Sequence, residues 1–122
     1  MKNIQYDAEG DVLSVAFVEV AEQPHTGVEL NDNIVLYFNP RTEQPIKLIL
    51  TSYQRMADAS RRQPISLEGL AELPGAMRAQ VLRIVGKPPV SSFVHLISTS
   101  DAAPTTRLDQ VFTPATLQAL AA

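Results

Sequence analysis

The chain contains no cysteine and no tryptophan. Without cysteine there is no disulfide framework, no thiolate nucleophile and no cysteine metal site, so an apolar core has to hold the fold together. The same absence suits a reducing compartment. No apolar run approaches the roughly 18 residues of a membrane span. The opening residues, Met1 to Asp7, offer no apolar stretch of the kind a signal peptide needs. The expected location is therefore the cytoplasm, with no membrane partner. Glycine is sparse and scattered, at five positions, which excludes a Gly-rich phosphate loop. No Gly-x-Ser-x-Gly elbow surrounds Ser91, Ser92, Ser98 or Ser100.

Charge of one sign is also lacking: the formal net charge is −3, which argues against nucleic acid as a partner. Its distribution is uneven. Residues 1–50 hold three basic and eight acidic side chains, whereas residues 55–87 hold six basic and three acidic ones. A basic segment of this kind can face nucleic acid, but no aromatic residues interleave with its arginines to make a stacking platform. The simpler expectation is that it packs beside the acidic half.

What is present is an ordinary globular composition, 45% hydrophobic over 122 residues, the size of one domain. Folding a chain of this length buries roughly two-thirds of its surface. The expected class is α+β in a single domain, residues 1–122. An antiparallel β-meander of about five short strands fills residues 1–53. A helical and mixed part, 54–122, brings short helices and one or two further strands.

The strands are read from period-two alternation. Ile4 and Tyr6 share a face. Gly10 is expected to take the positive φ that closes a hairpin. Leu13, Val15 and Phe17 then point one way and Val12, Ser14, Ala16 and Val18 the other, in a strand expected to reach about Val20. Thr26 to Leu30, Ile34 to Phe38 and Ile46 to Thr51 supply three more strands, separated by turns at Asn31-Asp32-Asn33 and from Asn39 to Pro45. Several strands are apolar on both faces, so a covering layer is expected on each. Further on, Ser66 is expected to cap a short helix from Leu67 to Leu73. A second helix starts at Pro74, presents Met77, Val81, Ile84 and Val85 on one face, and stops at Gly86. Phe93 to Ile97 reads as a strand, 98–106 as a polar connector and Arg107 to Phe112 as extended. A last helical turn begins at Thr113-Pro114.

Candidate chemistry is thin. Asp7, Glu9 and Asp11 resemble the start of a calcium loop, but the remainder of that loop is missing, and a solvated hairpin turn accounts for them. His25 and His95 are the only histidines. They lie in no metal-binding spacing. His25 reads as an exposed connector residue, and His95 as a core or interface residue of an apolar strand. Arg61-Arg62 can hold a phosphate or carboxylate, or be a solvated pair in a loop. No catalytic, metal or cofactor-binding residues are assigned, and no cofactor is expected. The tentative ligand or partner contacts are His25, Arg61, Arg62 and His95.

The stretch from Ile4 to about Tyr53 resembles a bacterial family known as domain of unknown function 2283. The likeness rests on Tyr6-Asp7 followed by Asp11, on Leu13, Val15 and Phe17, and on Val28-Glu29-Leu30. It continues through Ile34 to Phe38 and Ile46 to Leu50. Lys47-Leu48-Ile49-Leu50 departs from it, lacking the acid of a Gly-Ile-Glu-like step. The resemblance implies a fold, brings no catalytic residues, and implies at most a binding role beside toxin-like partners. The leading expectation is a non-enzymatic interaction or oligomerisation module, a homodimer that also meets a protein partner. One rival is a ligand-binding protein or enzyme with a pocket formed by His25, His95 and Arg61 or Arg62. Another is an antitoxin-like regulator with a basic face made by Arg55, Arg61, Arg62, Arg78 and Arg83.

Overall fold

The computed structural model describes residues 3–18, 23–98 and 104–108. Alternation of apolar and polar side chains drives the first half of the chain into a five-stranded antiparallel sheet. β1 (Asn3–Asp7) and β2 (Val12–Ala16) form a hairpin, and β3 (Thr26–Asn31), β4 (Ile34–Asn39) and β5 (Gln44–Thr51) form a meander. The hairpin joins the meander where β2 pairs with β5, giving the spatial order β1-β2-β5-β4-β3. The fold is thus α+β with an antiparallel sheet, as the sequence predicts.

One face of this sheet is the core. Tyr6, Leu13, Val15, Val28, Leu30, Ile34, Leu36, Leu48 and Leu50 are buried there. They meet α1 (Tyr53–Arg62) and α2 (Gly75–Val85), which contribute Tyr53, Met56 and Ala57, and Val81, Ile84 and Val85. The buried positions 53, 56, 57 and 60 of α1 have the helical i, i+3, i+4, i+7 spacing. A small sheet of β6 (Ile65–Ser66), β7 (His95–Ser98) and β8 (Thr105–Arg107), in the order β6-β8-β7, lies alongside. Leu70, on a 3₁₀ turn at Glu68–Glu72, and Leu67 just before it complete the layer. That turn presses on the outer edge of β3: a Cβ on Gly69 would overlap the Glu29 carbonyl oxygen, so only a hydrogen fits.

Asp11 fastens the hairpin to the helical layer. It adopts a left-handed conformation (φ 54°), and no described glycine has a positive φ. The expectation for Gly10 is therefore corrected by one residue. The turn places the Asp11 carbonyl 3.0 Å from the Tyr53 amide. Its carboxylate accepts hydrogen bonds from the Gln54 amide (3.0 and 3.2 Å) and from the Tyr6 hydroxyl (2.6 Å). A residue 43 positions upstream thus satisfies the first turn of α1, where Ser52, the formal N-cap, gives no side-chain bond.

Other expectations shift. Ser66 ends β6 and its carbonyl accepts from Asn31 (3.3 Å), so it caps no helix, and the segment after it is a 3₁₀ turn. Arg61 and Arg62 close the last turn of α1, not a loop. Thr105–Arg107 is a strand that starts inside the expected connector and takes in Arg107, where an extended segment was expected, because its backbone pairs with both β6 and β7. The far end of the strand expected to reach Val20, most of the extended segment to Phe112, and the helical turn at Thr113-Pro114 lie outside the described residues.

Candidate functional site

The second face of the five-stranded sheet carries the side chains that the core does not use. Strand register places them in a grid. One row across the sheet reads Gln5, Ser14, Ile49, Val35 and Glu29, and the next reads Asn3, Ala16, Lys47, Tyr37 and Gly27. Val12 and Thr51 pair at one end. Val12, Ala16, Val35, Tyr37 and Ile49 are each half-buried, and none belongs to the hydrophobic core cluster. The face is apolar in the middle and polar at both edges.

Its β3 flank is hollowed. A cavity of about 210 Å³ is lined by His25, Tyr37, Lys47 and Ile49. Tyr37 is an outward-facing residue of β4, Lys47 and Ile49 are outward-facing residues of β5, and His25 comes from the connector just before β3. Gly27 lies beneath one of these side chains. A Cβ there would stand 2.7 Å from the Tyr37 ring, so the ring lies across the glycine. The His25 ring centroid is 6.4 Å from that of Tyr37, with 60° between the planes. The His25 Nδ1–H donates to the Gln23 carbonyl (3.2 Å), which leaves Nε2 as the nitrogen open to a further bond. The Lys47 ammonium and the Tyr37 hydroxyl make no hydrogen bond or ion pair to any described residue.

The four residues singled out from the sequence are dispersed. His25 lines this cavity; His95, Arg61 and Arg62 do not. His95 sits on β7 and is exposed, together with Ile97, while Leu96 between them packs on the core. It is not a core histidine, because the alternation of that short strand turns it outward. Arg61 and Arg62 are exposed at the end of α1. Tyr37, Lys47 and Ile49 were not marked by sequence reasoning. The signal that finds them is their outward parity on adjacent strands, which becomes a cluster only once register is known.

Arg78, Arg83 and Glu43 have structural partners. The Arg78 guanidinium donates to the carbonyls of Leu70 (2.9 Å), Ala71 (3.2 Å) and Leu73 (3.1 Å), closing the 3₁₀ turn. Arg83 grips Glu43 through Nε (3.2 Å) and Nη2 (2.6 Å). That hydrogen bond holds the Glu43 carboxyl below, and the Arg83 guanidinium above, their usual ranges. Two of the five arginines of the proposed basic face are thereby tied to protein acceptors. A second hollow, of about 160 Å³, lies between Thr42, Glu43, Pro45, Ile84, Lys87 and Pro88, with its one carboxylate already held by Arg83. Among the described residues no three His, Asp or Glu side chains gather as a metal site; Asp11 is occupied as above, and Asp7 accepts from the Glu9 amide (3.1 Å). No helix of the described residues is long and apolar enough to cross a membrane.

Comparison of the chain with models of known families, with curated proteins and with solved structures returns no match.

Proposed function

We propose that this protein is a non-enzymatic interaction module that works through the open face of its five-stranded sheet, and that the face first meets a second copy of the chain. The observation that carries this reading is the division of the sheet. Its inner face is sealed by helices, while Val12, Ala16, Val35, Tyr37 and Ile49 on the outer face lie outside the core.

A second copy suits the face in charge and in size. Lys47 and Glu29 flank the Tyr37 and Val35 strand on opposite sides, and neither has a described ion pair. A two-fold axis along β4 sets each Lys47 above the other copy's β3, the strand that carries Glu29, so the isologous contact is self-complementary. Strand spacing and rise give a face of about 24 by 17 Å, or roughly 400 Å² per copy. A standard interface buries about 800 Å² per partner. The expected dimer is accordingly weak, with a dissociation constant in the micromolar range.

Sedimentation velocity from about 1 to several hundred μM tests this, since a micromolar constant corresponds to roughly −8 kcal/mol. The wild type should move from monomer to dimer across the series. Ile49→Lys, which places a charge at the centre of the face without touching the core, should remain monomeric with unchanged circular dichroism. A wild type that stays monomeric throughout the range overturns the reading.

A further inference from the structure

We propose that the cavity of His25, Tyr37, Lys47 and Ile49 is a binding site for a small organic carboxylate. It is built from the groups of a single copy and shares Tyr37, Lys47 and Ile49 with the proposed dimer face, so it is a property of the monomer.

The chemistry of the lining selects the ligand. Lys47 brings an ammonium with no partner among the described residues, and Tyr37 a hydroxyl in the same condition. They are direct cross-strand neighbours, Tyr37 on β4 opposite Lys47 on β5. His25 adds an imidazole whose Nδ1 is fixed on the Gln23 carbonyl (3.2 Å). An ammonium and a phenolic O–H side by side complement a carboxylate: one supplies charge, the other a directed hydrogen bond. The remaining walls are apolar. Ile49 and the rings of Tyr37 and His25 line the hollow, and an inorganic oxyanion would leave them against water. An anion with a flat or aliphatic body fills both halves. Size narrows the class further. At about 210 Å³ the hollow is smaller than the roughly 300–1,000 Å³ of sites for drug-sized ligands, which fits a guest on the order of ten heavy atoms.

Gly27 has a role here that its turn-forming reputation does not reveal. Any side chain at this position would push against the Tyr37 ring, which a Cβ would approach to 2.7 Å. The glycine therefore lets the aromatic wall lie across it.

The test is an amide-resolved NMR titration with sodium benzoate, using benzamide as a neutral isostere and sodium phosphate as an inorganic control, all at one ionic strength. Protein is kept at a concentration at which sedimentation shows monomer, so failure of the site and failure of self-association are read separately. Benzoate should perturb residues 25–27, 37, 47 and 49, with benzamide and phosphate at least about tenfold weaker, equivalent to 1.4 kcal/mol. Lys47→Met keeps the apolar stem and removes the charge; it should lower benzoate affinity at least about tenfold. Tyr37→Phe should weaken it less, since one hydrogen bond is lost and the ring stays. Three results overturn the proposal: benzamide binding as well as benzoate, perturbations mapping away from these residues, or Lys47→Met binding unchanged while retaining the wild-type spectrum elsewhere.

Discussion

Replacing Tyr6 by Phe removes one oxygen from a junction of hairpin, turn and helix, and the consequence depends on pH in a defined way. Tyr6 is buried, 6% exposed, and its hydroxyl donates to Asp11 Oδ1 over 2.6 Å. Burial is the main cause that pushes its pKa up to about 12, and the hydrogen bond to Asp11 and the negative charges of Asp11 and Asp7 add to it. A neutral tyrosine is thus favoured in the folded state. In the unfolded chain the phenol titrates near 10. The stabilisation tied to the retained proton is fully present below about pH 10 and is lost as pH climbs from about 10 to about 12. A shift of about two pH units corresponds to roughly 2–3 kcal/mol. At neutral pH, Tyr6→Phe loses a hydrogen bond to a charged acceptor, typically about 1.5–3 kcal/mol. Asp11 keeps its bonds to the Gln54 amide, so about 2 kcal/mol is expected.

Urea unfolding of wild type and Tyr6→Phe, followed by circular dichroism between pH 7 and about 12, separates this residue from every other group that titrates there. The difference between the two proteins should be flat up to about pH 10 and then shrink towards zero. A difference that persists undiminished at the alkaline end refutes the coupling. Equal stability at neutral pH refutes the hydrogen bond itself.

Gly69→Ala should destabilise the fold by about 2–3 kcal/mol, measured by urea unfolding, because its methyl would overlap the Glu29 carbonyl and force the 3₁₀ turn off β3. Leu48→Ala, at a fully buried position of the central strand, should cost about 2–5 kcal/mol by the same assay, with wild-type stability refuting its place in the core. Asn39→Ala should cost about 1–2 kcal/mol and broaden amide signals of residues 41–43, since the side chain accepts from the Arg41 (2.9 Å) and Thr42 (3.4 Å) amides.

The strands are legible because alternation is a strong, local signal: Leu13, Val15 and Phe17, or Ile46, Leu48 and Leu50, mark the buried face without knowledge of any partner. The turns were legible as turns but not in detail. Asp11, not Gly10, takes the left-handed conformation, since that geometry lets its carboxylate reach Tyr6 and α1 together, a tertiary benefit invisible in a local window. Helix α1 is not legible in the sequence for a related reason. Its buried stripe is Tyr53, Met56, Ala57 and Ser60, and a small residue and a hydroxyl contribute little apolar contrast amid Gln54, Arg55, Arg61 and Arg62. Ser60 is buried because its hydroxyl donates to the Ala57 carbonyl (2.9 Å) and accepts from the Leu108 amide (3.2 Å). The candidate site was legible only in His25. Tyr37 and Lys47 are ten residues apart and become neighbours through the β4–β5 register, which shifts between Tyr37 and Phe38. No sequence pattern fixes that shift.

The architecture also bears on why recognition should use a face and not an edge. A five-stranded open sheet has two edges, and each is a template for unwanted pairing. The β3 edge is closed by the 3₁₀ turn that Gly69 allows to approach, and Asn31 ties it to β6 through the Ser66 carbonyl. The β1 edge is short, five residues, with Asn3, Gln5 and Asp7 directed away from the core. With one edge covered and the other brief and polar, backbone pairing offers a partner little. The outer face offers a partly exposed apolar centre, two charges of opposite sign with no ion pair among the described residues, and a hollow beside one of them. Residues that pack no core and yet are apolar at five positions are costly to leave against water at about 25 cal/mol per Å². Covering them gains free energy, which is the physical reason to look for a partner there.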